Sequence, residues 1–358
     1  MPFEMRKILL CVLLGACAVF ADSWSEKPDI DFYAHPFVED ADDLHEYRTG
    51  RVTSENEEFV FSSRGKKYPM DSYNFRVQLS AGERVLCVIE DGRAGVLDYD
   101  RTRPLALLIF LFALGVIALK AVSGARALAA LFFALLAVFA VYVTAVLKGA
   151  PPAASALLLC FIISLVTLYA VCGKGRKAPS ALAGAVFGIF SAALTAYIFL
   201  AALKTRGFSD ENIQLLNYLS RTLQIAPRDA GSVFLAGIII AATGVIMDVA
   251  ITISSSLSSI QSANPAISRA KLFRRGMNIG GDVIASMSGS LLFAYAGGAL
   301  FLILSRSFFT YSASFLLNAE WFAALIAGIF AGTCGMILTV PATAAASAFL
   351  LTRKRGRP

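Results

Sequence analysis

One carboxylate, Asp248, stands inside the apolar run Phe234–Ile253 (FLAGIIIAATGVIMDVAITI), and no other ionisable side chain shares that run. Hydroxyls follow at Thr252, Ser254, Ser255, Ser256, Ser258 and Ser259. About 20 apolar residues are enough to cross the hydrocarbon core of a bilayer. A carboxylate near the middle of such a helix costs roughly 2.5–3.5 kcal/mol on insertion scales, so carboxylates at that depth normally face a bundle interior or an aqueous path. Thr252 and Ser255 fall one and two turns further along the same helical face. The three residues therefore form a candidate route for a proton or small cation. The structural alternative is a carboxylate hydrogen-bonded into a neighbouring helix for assembly.

A second polar pair follows. Asp282, after Gly280-Gly281, is expected to open a membrane span. It serves there either as a carboxylate favoured by a helix N-terminus or as part of a cytoplasm-facing ion path, and Asn278 lies one turn earlier. Other chemistry is sparse. His35 and His45 lie among Glu39, Asp40, Asp42 and Asp43 without tight ligand spacing, so no metal site is expected. The chain has no nucleotide-binding glycine loop, no paired metal-ligand histidines and no serine elbow. The expectation is a non-enzyme without a cofactor.

The elements that position these residues are legible in the composition. The chain has 358 residues, 57% hydrophobic and 16% charged, with a net charge of +7. Its basic residues sit in short clusters between apolar segments, which points to membrane orientation and away from nucleic acid. Six cysteines form no disulfide framework. Residues 1–21 read as a secretory signal cleaved after Ala21, with an uncleaved anchor as the alternative. Residues 22–103 read as an exported polar module. Within it, Tyr73–Glu90 alternates apolar and polar residues about Ser80-Ala81-Gly82-Glu83 and predicts a β-hairpin, with further strands at Val52 and Phe59–Phe61.

Residues 104–358 read as an all-α polytopic bundle of about seven spans: 105–121, 126–147, 153–172, 180–203, 231–256, 283–305 and 319–350. Inside loops carry Lys120 and Arg126; Lys174, Arg176 and Lys177; Arg269, Lys271, Arg274 and Arg275; and Arg353, Lys354, Arg355 and Arg357. That asymmetry puts the module outside and the C-terminus in the cytoplasm. The last apolar stretch is too long for one perpendicular crossing. It is read as one helix bent at the hinge candidate Pro341, with Thr339 and Thr343 satisfying the freed backbone groups, or as a span plus a re-entrant piece. Small residues at Gly289, Gly297, Gly298, Gly328, Gly332 and Gly335 read as close-packing positions. In Lys204–Ala230, the Ser209-Asp210-Glu211 start and the apolar face Ile213, Leu216, Leu219, Leu223 predict an amphipathic surface helix.

Gly244–Ala250 (GVIMDVA), Asn264-Pro265, Leu272–Asp282 (LFRRGMNIGGD) and Leu292–Gly298 (LFAYAGG) together resemble the YibE/F family of bacterial multi-pass membrane proteins. The resemblance extends more weakly over 84–350 and includes Asp98-Tyr99-Asp100-Arg101. It departs at Gly281, where the family usually carries a basic residue, and at Ala323–Ala331, where the family usually carries charge. The resemblance implies a bacterial cytoplasmic membrane protein, sometimes suspected of transport. Taken with the residues, the expected function is an ion-coupled transporter or permease, whose partners are the bilayer and a small ion or solute. The rival is a non-transporting scaffold or accessory subunit that binds another envelope protein through the exported module.

Overall fold

The computed structural model describes residues 46–55, 58–70, 79–173, 175–205, 230–300, 303–304 and 313–352. The expected signal at 1–21, the acidic stretch with its histidines, the surface helix expected within Lys204–Ala230 (from residue 206 on) and the basic tail from Arg353 lie outside them. The chain divides into two units, 28–124 and the remainder.

The first unit carries five strands, β1 (Glu46–Glu55), β2 (Glu58–Ser63), β3 (Lys66–Pro69), β4 (Arg84–Glu90) and β5 (Arg93–Tyr99), in one antiparallel sheet of order β3-β2-β1-β4-β5. Met70, just after β3, bridges to Ala94 of β5, so the sheet curls into a half-barrel. Its inner face buries Val52, Phe61, Val85, Cys87, Ala94 and Val96. Long β1 serves both halves: Glu46–Arg51 pairs with β4 and Arg51–Glu55 with β2. At the switch stands Gly50, where a Cβ would lie 2.3 Å from the Ser62 carbonyl oxygen and 2.6 Å from the Phe61 ring. Only glycine lets the strand bend this closely over its neighbour.

The strand expected over 84–90 is present, as are those at Val52 and Phe59–Phe61, but the hairpin partner differs. β4 pairs with β1 and β5, and residues 71–78 lie outside the described part. Ser80–Glu83 is a turn held onto β1 by Gly82 N–H donating to Val52 O and Val52 N–H donating to Glu83 O, both 2.8 Å. The hairpin turns are Asp91-Gly92 and Arg64-Gly65, each with two consecutive positive φ values. That is the mirror-image turn whose twist suits an antiparallel pair.

Helical residues run through α1 (Thr102–Leu136), a π-helical stretch (Ala137–Tyr142) and α2 (Val143–Leu147). They are followed by α3 (Pro152–Cys172), α4 (Lys177–Ala202), α5 (Ala230–Ala263), α6 (Arg269–Gly298), α7 (Ala313–Asn318) and α8 (Glu320–Thr352). Proline at the first position starts α3, and Gly173 at φ 75° ends it with its N–H on Tyr169 O. Ser268 caps α6 by accepting the Lys271 N–H.

Among the described residues, six helical segments are long and apolar enough to cross a membrane: Val122–Leu147, Pro152–Cys172, Lys177–Ala202, Gly231–Ala263, Arg269–Gly298 and Glu320–Thr352. The seventh expected span is the shorter apolar segment Thr102–Ala118. The loop expected after it is helical but sharply bent. A Cβ on Gly124 would lie 2.5 Å from the Val116 carbonyl oxygen, whereas eight residues of straight helix rise about 12 Å. The basic residues Arg269–Arg275, expected in a loop, form the first turns of α6.

α8 is one helix with Pro341 inside it, 33 residues and so about 50 Å long. No re-entrant break divides it. The threonines beside the proline act differently from expectation. Thr339 donates to Gly335 O at 2.7 Å, and Thr343 Oγ1 is buried without a hydrogen-bond partner among the described residues. Gly184 and Gly188 of α4 lie against Thr343 and Thr339 of α8. A Cβ on either glycine would fall 1.8 Å from the threonine oxygen. Gly335 meets Ala192, Gly332 meets Leu291 and Gly328 meets Tyr295, so these three are packing positions as read. Gly289, Gly297 and Gly298 are not: no neighbour stands within 4 Å of a Cβ placed there.

Candidate functional site

Asp248 lies near the middle of α5, the helix packed against α3, α4, α6 and α8. Ile246, Val249, Ala250 and Ile253 face the core and are buried. Ile246 reaches the crossing of Gly188 and Gly335. Met247 packs on a cluster of Phe133, Ala137, Leu159 and Ile163. Helical geometry turns the next residue away from both contacts. Asp248 is accordingly exposed from the bundle, on one line with Gly237, Ala241 and Gly244. Its carboxylate has no hydrogen bond or ion pair among the described residues.

Thr252 and Ser255 share the Asp248 side, as the spacing requires, but neither hydroxyl bonds to its carboxylate. Thr252 Oγ1 donates to the Asp248 backbone carbonyl at 2.8 Å, and the Ser255 carbonyl accepts from Ser259 Oγ at 3.1 Å. Such bonds to the residue one turn back satisfy a hydroxyl without leaving the helix. Ser254 turns the other way: buried, it donates to Lys177 O at 2.8 Å and ties α5 to the start of α4. The serine-rich stretch thus splits between a helix-to-helix tie and an exposed polar face.

Asn278 and Asp282 lie one turn apart on α6 and are both exposed. Asp282 does not open a span. The helix begins at Arg269, so Asp282 lies well inside it, too far along for its first-turn dipole. The N-terminal role belongs to Ser268. Gly280, beside these residues, is a packing position, since a Cβ there would lie 2.1 Å from Val340. Among the described residues no hydrogen bond or ion pair joins Asn278 or Asp282 to Asp248.

Two features escaped the sequence. The π-helical stretch Ala137–Tyr142 contributes Ala137, Val138 and Tyr142 to the cluster that holds Met247, beside Asp248. Insertions of this kind often accompany functional positions, but its plain apolar sequence gives no warning. Ser164 and Ser347, like Thr343, are fully buried with hydroxyls lacking a hydrogen-bond partner among the described residues. They are single hydroxyls in apolar helices, which composition does not flag. No group of three or more metal-ligating side chains occurs among the described residues.

The family model of the YibE/F-like proteins matches residues 108–353, the bulk of the chain. The chain belongs to that family. No curated protein matches it, and no solved structure does. The match takes in the bundle with Asp248, Asn278, Asp282 and Pro341, and begins after the sheet and the Asp98–Arg101 segment. The family and the apolar helices together mark a multi-pass membrane protein.

Proposed function

We propose that this YibE/F-like protein is an ion-coupled transporter or permease, with Asp248 holding the coupling proton or cation. One observation carries the reading: a carboxylate midway along an apolar helix has no hydrogen-bond or ion-pair partner among the described residues, on an exposed face of the helix shared with Gly237 and Gly244. A carboxylate kept for assembly would be hydrogen-bonded into a neighbouring helix, because leaving it bare in hydrocarbon is costly. Thr252 and Ser255 continue the polar face towards the end of α5, and Asn278 and Asp282 offer further oxygen ligands on α6. The bundle lies in the bacterial cytoplasmic membrane with the sheet outside, no enzymatic step is involved, and the partners are the bilayer and the carried ion or solute.

A hydrophobic carbodiimide tests this without knowledge of the substrate, because it modifies protonated carboxyl groups inside membranes. In purified protein in lipid nanodiscs, mass spectrometry is expected to find Asp248 modified. Alkaline pH or the coupling cation, tried as sodium and potassium salts, is expected to protect it. Asp248→Asn keeps the shape and is expected to express and melt normally while losing the adduct. An unmodified Asp248, or modification indifferent to pH and to both cations, would count against ion coupling and favour the scaffold reading.

A further inference from the structure

The segment between the sheet and the first apolar helix is only Asp100 and Arg101, since β5 ends at Tyr99 and α1 begins at Thr102. A two-residue connection leaves room for a hinge. The side chains remove it. Asp100 is almost completely covered, its side chain 1% exposed. One carboxylate oxygen accepts from Arg84 Nε at 2.9 Å, at the start of β4. The other accepts the Thr102 N–H at 3.1 Å and the Thr102 hydroxyl, at the start of α1. The backbone repeats the tie, with Asp100 N–H donating to Arg84 O at 2.9 Å. Asp98 closes the segment from the other side, accepting Tyr99 N–H at 2.7 Å and pairing with Arg101 at 2.5 Å.

We infer that Asp98–Thr102 is a locked joint, so that the half-barrel and the first turns of α1 move as one body. Asp100 is its centre. One carboxylate bridges a strand that is not its sequence neighbour to the N–H and hydroxyl of Thr102 at a helix start, which helix polarity also favours. Arg84 supplies the strand side with a charge-assisted bond, and Asp98–Arg101 keeps the intervening backbone from turning out. The consequence is mechanical: a force or ligand acting on the sheet is delivered to α1 as a rotation and is not absorbed in a flexible tether.

The test uses full-length protein in nanodiscs with its native cysteines replaced. Spin labels are placed at Lys66→Cys on the sheet and Leu108→Cys on the helix, both exposed. Double electron–electron resonance is expected to give a narrow distance distribution. Asp100→Asn combined with Arg84→Gln is expected to broaden it about two-fold, towards that of a protein with Gly-Gly-Ser inserted after Arg101, which behaves as a flexible linker. If the unaltered joint is already as broad as the Gly-Gly-Ser insertion, the inference is overturned. The same holds if the double variant, its sheet shown intact by circular dichroism, stays as narrow as wild type. The wild-type comparison decides the matter even where the double variant does not fold.

Discussion

Gly188→Ala should weaken the bundle measurably, and the structure says by how much. A Cβ at position 188 would lie 1.8 Å from Thr339 Oγ1, 2.9 Å from Ile246 Cγ2 and 3.0 Å from the Gly335 carbonyl oxygen. Relief at Thr339 alone needs a shift of about 1.5 Å to reach an ordinary contact. Thr339 is completely buried and donates to Gly335 O at 2.7 Å. Turning its hydroxyl away abandons that bond and strands a buried donor, at about 1–3 kcal/mol. The Gly335 oxygen is backbone and cannot swing aside, so α4 and α8 must part slightly, and overpacking of this kind costs about 1–3 kcal/mol. Alanine returns up to about 1 kcal/mol of helix preference over glycine. The net expectation is a loss of about 3 kcal/mol, or roughly 6–12 °C in the apparent midpoint for a domain of this size.

The assay is thermal unfolding of purified protein in a mild detergent, followed by loss of the monodisperse peak in size-exclusion chromatography. Gly244→Ala is the control, because no neighbour stands within 4 Å of a Cβ there, and it should melt no lower than wild type. Thr339→Ala added to Gly188→Ala removes the nearest atom and should recover part of the loss. If Gly188→Ala melts with the control, or if Thr339→Ala gives no recovery, the α4–α8 crossing is not held by this close approach.

The half-barrel makes two further predictions. Thr102 and then Arg84 hold the Asp100 carboxyl, and Arg101 and Tyr99 N–H hold that of Asp98, below the usual carboxylate range. The stability they give is therefore fully present above the unfolded pKa of about 4 and is lost as the pH falls through the lower folded values. The protection of the β4 and early α1 amides, measured against their intrinsic exchange rates, should fall below pH 4, and Asp100→Asn should be weaker at pH 7 with a shallower acid transition. An acid profile unchanged by that substitution would show that other groups control it. Burial pushes the Cys87 thiol up to about 12, so at pH 8 only about one molecule in ten thousand carries the thiolate. Maleimide should label Cys87 only after denaturation, and labelling in the folded protein at the rate of an exposed thiol would refute the inner-face placement.

What was legible in the sequence and what was not divide along physical lines. Length and continuity of apolar residues located the six helices long enough to cross a membrane, though not the start of α6, because crossing a bilayer requires both. The loop expected near 122–125 became a bend among helical residues, since Ser123, Gly124 and Ala125 carry no helix-stopping proline. Asp91-Gly92 was readable as a hairpin turn, but the alternation of Tyr73–Glu90 drew the reading elsewhere. Glycines were misjudged in both directions: Gly184 and Gly188 are pressed against α8, whereas Gly289, Gly297 and Gly298 meet nothing. Composition identifies a small residue but not whether a neighbour arrives there. Asp282 was misplaced for a related reason, because the two glycines before it look like a helix break and are instead accommodated inside α6, Gly280 against Val340. Asp248 stands out in the sequence, because an ionisable group in an apolar run needs no partner to be conspicuous. The direction it faces depends on which side of α5 packs, and that is a tertiary fact.

The two sides of α5 differ in packing, and the proposed function rests on that difference. On one side Ile246 enters the crossing of Gly188 and Gly335, where a single methyl group is already too much. One residue from Met247's contacts, Asp248 occupies a line with Gly237, Ala241 and Gly244 that is exposed among the described residues. Substitutions on the first side are expected to change stability and, through it, abundance. Asp248→Asn is expected to change neither, because among the described residues there is no hydrogen bond or salt bridge to lose. Asp248 is proposed for ion coupling because a carboxylate is costly in hydrocarbon and this one has no hydrogen-bonded partner among the described residues. An unstable Asp248→Asn protein would mean instead that the carboxylate has a structural partner, and would remove the ground on which ion coupling is proposed.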